Sequence, residues 1–212
     1  INIHAGVETA VAATKTYTCQ LLAIAMLSAA WNQADDRFEL IERLGEWGTA
    51  VLAQDEAILS LAQRYRYMKQ CVVLGRGYNY ATAFEWSLKL KELTYVIAEP
   101  YSSADFLHGP IAIVDQGFPI MAVAPTGAVL ADMRQLLQKL AAERQAELLI
   151  ISNDEPTFAL ATSAVQLPAD LPEWLSPLVS ILPGQLFSYH LTCAKGFDAE
   201  APRGLNKVTK TI

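Results

Sequence analysis

Charge and histidine are scarce in this sequence. Charged residues make up 18% of it against 52% hydrophobic, and the histidines are three: His4, His108 and His190. Such a composition excludes a disordered, self-repelling chain and buries a sizeable core. At 212 residues the chain accommodates one large domain, or one domain with part of another. The formal charge of −6 gives no electrostatic case for nucleic acid or an anionic membrane surface as partner. A small anion is still open to it, through local basic groups or backbone amides. Cysteine is also sparse. Cys19, Cys71 and Cys193 lie far apart with no Cys-x-x-Cys pair, which predicts free, mostly buried thiols in a reducing, cytoplasmic setting. No close His/Cys spacing suits zinc, so no metal site is expected. The longest apolar run, 21–31, is too short to span a bilayer and reads as a buried helix. No secretory signal is visible, and the first residue is Ile1, not Met, which favours the reading that the native N-terminus is missing.

What is present is a change of rhythm. Residues 11–31 read as a helix apolar nearly all round, hence buried on most sides. Residues 36–63 continue as a second helical region, with Phe38, Ile41 and Leu44, then Val51, Ile58 and Leu61, at helical spacing. Residues 64–70 are polar and read as a linker. From 71 onward, short aliphatic runs (71–75, 119–125, 146–152 and 164–168) alternate with helical stretches (79–95, 129–145 and 173–196, the last with a bend expected at Pro183). Strands alternating with helices predict an α/β sandwich over 65–196 with a parallel sheet covered on both faces. The helical 1–60 is then a lead-in, or the tail of another domain.

In such sheets ligands bind beyond the carboxyl ends of the strands. The loop "LGRGYNYA" follows the first strand and opens a helix. Its amides suit a phosphate or sugar, but a tight strand-to-helix turn explains the glycines equally well. As a dinucleotide fingerprint it fails, because Tyr80 stands at the third glycine position. The stretch "KLKELTYVIAEPYSSADFLHGP" (89–110) carries more chemistry. Residues three and four apart share a helix face, so Glu85, Lys89 and Glu92 line up while Lys91 points elsewhere. That row is either a solvated salt bridge of small worth or part of an acid/base site. His108, alone before Gly109-Pro110, is either a cap or a catalyst.

Several longer motifs resemble one family in order and spacing. A helix Lys-x-Lys-Glu followed sixteen residues later by His-Gly-Pro is similar to the isomerase half of glucosamine-6-phosphate synthase, two sugar-isomerase (SIS) domains in tandem. "AGVETAVAATKTYTCQ" (5–20) resembles the segment closing the first SIS domain. "VLGRGYNYATAFEWSLKLKE" (73–92) resembles the opening of the second, and "PRGLNKVTK" (202–210) the tail that folds over the sugar. "AVAATK" and the ending are most like the shorter AgaS-type sugar-phosphate isomerases and deaminases. The resemblance implies a three-layer, flavodoxin-like αβα fold. It divides the chain into 1–64, the end of a first SIS domain with linker helices, and 65–212, a second SIS domain with its tail.

It also implies roles. Glu92 matches the base that shuttles a proton between C1 and C2 of an amino- or keto-hexose 6-phosphate. Lys89 matches the lysine near the sugar oxygens, and Lys207 the tail lysine able to form an imine at C2. His108 matches the ring-opening histidine that reaches a neighbouring subunit's site, which implies a homodimer. Glu8, Val11, Ala13, Lys15, Glu85 and Asn206 fall at substrate-side positions. Ala13 stands where the synthase has a serine on the sugar, and charges such as Glu8 and Lys15 also serve structural ends. These residue types suit aldose–ketose chemistry, which needs a base over C1/C2, an acid for O5 and positive charge by the oxyanion. No metal or organic cofactor is implied. The family's phosphate loop, "SxSGxT", does not occur in 1–212, so the resemblance implies either the C-terminal part of a longer protein, which Ile1 favours, or a chain that has lost phosphate binding. Three readings follow: a phosphosugar isomerase or deaminase, the isomerase part of a glutamine–fructose-6-phosphate transaminase, and a phosphosugar-sensing module without turnover.

Overall fold

Alternation within the aliphatic runs decides how the protein is layered. The structure, a computed structural model describing residues 2–207, has a five-stranded parallel sheet. Its strands are β1 (Gln70–Gly75), β2 (Ile97–Ser102), β3 (Pro119–Val123), β4 (Glu147–Ser152) and β5 (Ser163–Gln166), in the order β2-β1-β3-β4-β5. Successive side chains of a strand point to opposite faces. Val73, Met121, Val123, Leu149 and Ile151 enter one core with Ile58, Trp86 and Phe187. Val72, Leu74, Ile120, Leu148 and Ile150 enter the other with Phe106, Leu136, Leu137 and Leu140. The first face is covered by α4 (Asp55–Arg64), α5 (Asn79–Lys89) and α9 (Ser176–Ala194), and the second by α6 (Ser103–Leu107) and α7 (Leu130–Arg144). The αβα sandwich and its parallel sheet are as expected.

Several local expectations are corrected. The sheet has a strand more than the four read from sequence. "IAEPYS" is half polar and contains Pro100, yet it forms β2 at the sheet edge, where a missing amide is tolerated. The helical region 36–63 is three helices: α2 (Asp35–Glu42), α3 (Leu44–Leu52) and α4. Residues 64–70 are not a free linker, because a 3₁₀ turn at Tyr65–Tyr67 buries Tyr65 completely. The first helix, α1 (Lys15–Trp31), starts four residues late. It is not buried on most sides either: Ile24, Met26, Leu27 and Trp31 are exposed while Ala25 and Ala29 are covered. Cys71 is buried, but Cys193 is exposed.

The glycine loop is used by the chain itself. A Cβ on Gly75 would lie 2.1 Å from the Asn79 carbonyl oxygen, so only glycine lets α5 start this close to β1. The amides of Asn79 and Tyr80 donate back to the carbonyls of Arg76 and Gly77, which is the tight-turn reading of that loop. Farther along α5, Trp86 lies against α9 at Gly184, where a Cβ would come 2.9 Å from the indole ring. Pro183, which precedes it, is accommodated inside α9. Gly184→Ala should destabilise the fold by about 1–3 kcal/mol through overpacking. The measurement is a lowered denaturant midpoint with an unchanged slope.

Candidate active site

The site begins with a buried ammonium. α5 turns its Thr82, Trp86 and Leu90 line into the core, each without exposure. At 100° per residue this places Glu85 and Lys89 on the flank of the helix. A π turn over Leu90–Thr94 continues α5 and carries Glu92. Lys89 is 3% exposed, and its Nζ lies 2.9 Å from Glu92 Oε2 and 3.4 Å from Glu85 Oε1. The row expected from spacing is therefore assembled, and it is not a solvated surface pair. Only Lys89–Glu92 has hydrogen-bond geometry; Glu85 Oε1 is buried without a hydrogen-bond partner. Burial pushes the Glu85 carboxyl above its usual range, Lys89 pulls it back in part, and the Glu92 charge adds to the rise.

The N-terminal segment and the tail meet each other, and the tail also touches Tyr95, just past this helix end. Glu8, itself buried, accepts from the amides of Thr14 and Thr16 at 3.3 and 3.1 Å and from the Thr16 hydroxyl at 3.0 Å. It thus caps α1, where a negative charge is favoured. Lys15 is exposed and donates to the Val7 carbonyl at 2.6 Å; both expected substrate-side charges are engaged in holding local backbone. Lys207 Nζ donates to the Ala10 carbonyl at 2.7 Å, one residue before Val11 and three before Ala13, both half-buried. Asn206 is exposed, and residues 208–210 of the tail motif lie outside the described residues. The tail is anchored near Glu92 as well. The Arg203 amide donates to the Tyr95 hydroxyl at 2.6 Å, and the Arg203 guanidinium sits 4.4 Å over that ring. Sequence reasoning did not single out Tyr95 or Arg203. Tyr95 adopts a left-handed backbone conformation at the end of the π turn, which no local pattern announces.

His108 is elsewhere. Gln70 pairs with Ile97 and Gly75 with Ser102, so α5 must return from the carboxyl edge of the sheet to its amino edge before β2 starts. Glu92, five residues before Ile97, is at the amino edge. His108 follows α6 at the carboxyl edge, exposed, at the helix's C-terminal cap. A six-residue strand separates the two, about 17–20 Å. His108 instead lines a groove of about 780 Å³ between α6 and α7, with Arg76, Ser103, Gln135 and Lys139, and none of Glu85, Lys89, Glu92 or Lys207 borders it. The described chain brings together Glu85, Lys89 and Glu92, and separately Lys207 with the 8–13 segment; it does not bring His108 to either.

The buried row has a testable electrostatic consequence. A carboxyl whose folded pKa is raised binds more protons folded than unfolded, so it costs stability as pH rises from its ordinary value through the raised one. Lys89→Met removes the cation that opposes the rise in Glu85. The variant should lose about 3 kcal/mol at pH 8, where Glu85 is left as a buried anion without its cation. It should lose less at pH 5, where Glu85 takes up a proton. Thermal unfolding at the two pH values checks the difference.

Comparison with known proteins gives the family. The family model described as "SIS domain" matches residues 65–195. Over 208 residues the chain is 37% identical to the glutamine–fructose-6-phosphate aminotransferase (isomerizing) of Legionella pneumophila strain Paris, covering 96% of this chain and 34% of that protein. It spans about a third of the length of the curated relatives it matches. Among solved structures, the C-terminal domain of glucosamine-fructose-6-phosphate aminotransferase from Francisella tularensis superposes with a TM-score of 0.82 at 30% identity, covering 91% of this chain and 57% of that one. The tagatose-6-phosphate ketose/aldose isomerase of Escherichia coli superposes with a TM-score of 0.75 at 20% identity, over 95% of this chain and 55% of that one, and speaks for the fold alone. A parallel sheet in this order, a matching family model over most of the chain and a relative 37% identical along nearly all of it make one conclusion: this chain belongs to the SIS-domain family.

Proposed function

We propose that this chain carries the proton-transfer chemistry of an enzyme interconverting keto- and amino-hexose 6-phosphates, with fructose 6-phosphate and glucosamine 6-phosphate as the substrate pair. The observation that carries the reading is Lys89, buried at the end of α5 between Glu85 and Glu92. A carboxylate beside a desolvated cation is suited to moving a proton between adjacent carbons while the cation meets charge developing on the sugar oxygens. Glu92, the more accessible carboxylate of the row, takes the proton from one carbon and returns it to its neighbour. Lys207 contacts the open-chain sugar or condenses with its ketone carbon as an imine, releasing water. The names of the relatives favour the version in which this is the isomerase part of an aminotransferase. On that reading 1–64 closes a first SIS domain and 65–212 is a second, in a cytoplasmic protein.

The site is completed by a second copy. Glu92 and His108 sit at opposite edges of one sheet, too far apart to serve one hexose. In a homodimer, the His108 of one protomer opens the sugar ring over the Glu92 of the other. The symmetric dimer then has two composite sites.

Two measurements test this. Glu92→Gln keeps the shape and removes the base, so turnover should fall by about 10²- to 10⁴-fold, with affinity much less affected. Exchange of the C1 or C2 hydrogen of bound sugar phosphate in deuterated water should stop. Exchange at the parent rate would remove Glu92 as the base. For the shared site, Glu92→Gln and His108→Asn proteins are each expected to be inactive alone. Mixed under conditions that exchange subunits, they should regain about a quarter of parental activity, since half the dimers are mixed and each has one intact site. No recovery despite subunit exchange would overturn the shared site.

A further inference from the structure

The tail that carries Lys207 is held at two points. Among the described residues, two hydrogen bonds tie 198–207 to the rest of the chain: Lys207 Nζ to the Ala10 carbonyl at 2.7 Å, and the Arg203 amide to the Tyr95 hydroxyl at 2.6 Å. The other hydrogen bonds of this stretch are internal. Asp198 accepts from the amides of Glu200 and Ala201, and the Leu205 amide donates to the Pro202 carbonyl. The Tyr95 tie is reinforced through its ring. The Arg203 guanidinium lies 4.4 Å over it, and Phe197, where the tail leaves α9, meets it at 4.8 Å and 60°. Tyr95 itself belongs to the active-site turn. It follows the π turn directly, three residues past Glu92, with φ 57° and ψ 23°. A left-handed backbone is disfavoured for a bulky side chain. It persists where surrounding contacts hold it, often beside functional groups, and three contacts of this side chain go to the tail.

We infer that Tyr95 is a positioning residue for Lys207: it latches the tail at Arg203 beside the Glu92 turn, so that Lys207 can leave the Ala10 carbonyl for the sugar without the tail coming free. The inference rests on the role proposed above for Lys207. At rest the Lys207 ammonium is spent on a backbone carbonyl. Taking its nitrogen to a ketone carbon removes it from that carbonyl, and the latch is then the tail's remaining tie. Four residues separate Lys207 from Arg203, at most about 14 Å of extended chain. A tail fixed at Tyr95 therefore confines the lysine to the surroundings of Glu92. Without the latch, contact between Lys207 and the sugar must first order the tail, and that cost appears in binding.

The test is made on the intact protein with fructose 6-phosphate. Tyr95→Phe keeps the ring and removes the acceptor. KM should rise about 5-fold with kcat within about 2-fold, the loss of one hydrogen bond that serves ground state and transition state alike. A tyrosine that merely shaped the π turn would disturb Glu92 and lower kcat at constant KM. That result overturns the inference, and so does a parental KM. In a Lys207→Ala background, Tyr95→Phe should change KM by less than about 2-fold, because both substitutions remove the same contact. A rise equal to that in the parent overturns the inference. Where the Lys207→Ala protein is too slow to assay, the dissociation constant of fructose 6-phosphate replaces KM. Arg203→Gln keeps the amide and takes the cation off the ring, and should raise KM about 3-fold. This exposed position gives the same test if the phenylalanine variant does not fold. A parent that neither binds nor turns over phosphosugar sinks the proposed function instead, and the latch is then read by limited trypsin digestion. Cleavage of the native protein after Arg203 should be about 5-fold faster in Tyr95→Phe, through easier local opening of the tail. An unchanged cleavage rate overturns the latch.

Discussion

The contact between Trp86 and Gly184 sets the geometry on which the site depends. Trp86 is fully buried, and α9 approaches it so closely that a single methyl group at 184 does not fit. Phe187, one turn along α9, meets the indole edge-on at 5.9 Å, and Tyr65 meets Phe187 in the same manner at 5.7 Å. One chain of aromatic contacts therefore ties α5, α9 and the end of the N-terminal helices to the same face of the sheet. With Trp86 pinned, the rotation of α5 about its own axis is fixed. Its flank carries Glu85 and Lys89, and its outer face shows Tyr80, Phe84 and Leu88 to solvent. The position of Lys89 is thus a consequence of core packing three residues away.

Burying an ammonium is costly, and this helix meets the cost with two carboxylates rather than one. The arrangement is not fully satisfied: Glu85 keeps an oxygen without a hydrogen bond, and its carboxyl is held toward the protonated form. Incomplete satisfaction and raised pKa values are features that chemistry uses and a purely structural ion pair does not need. The other charged residues of the site neighbourhood behave differently. Glu8 caps a helix, and Lys15 and Lys207 bind carbonyls of the 7–10 segment. Together they bring the first residues of the chain and its tail to the same region, which local sequence does not bring together.

The separation of Glu92 from His108 follows from the handedness and direction of a parallel sheet. A helix between two parallel strands must run back across the whole sheet. Residues before the second strand and residues after it therefore lie at opposite edges, however close they are in sequence. Sixteen residues between Glu92 and His108 read as proximity, but with β2 between them they mean distance.

The amino-acid sequence by itself determined the layered α/β architecture, because aliphatic runs of strand length alternate with helical periodicity from 70 onward. It also determined the row Glu85–Lys89–Glu92, because three- and four-residue spacing on a helix is local geometry. Outside its reach were the edge strand β2, whose mixed polarity reflects a half-exposed position, and the exposed side of α1. Apolar composition there predicts burial but cannot name what provides it. The sequence was equally silent on the burial of Lys89 and the opposite placement of His108. These were decided only in the tertiary structure, because each depends on which surfaces meet across the chain, through the register of β2 on β1 and the seat of Trp86 on α9. Periodicity along a chain records how a segment folds against a generic partner, and only packing specifies the partner.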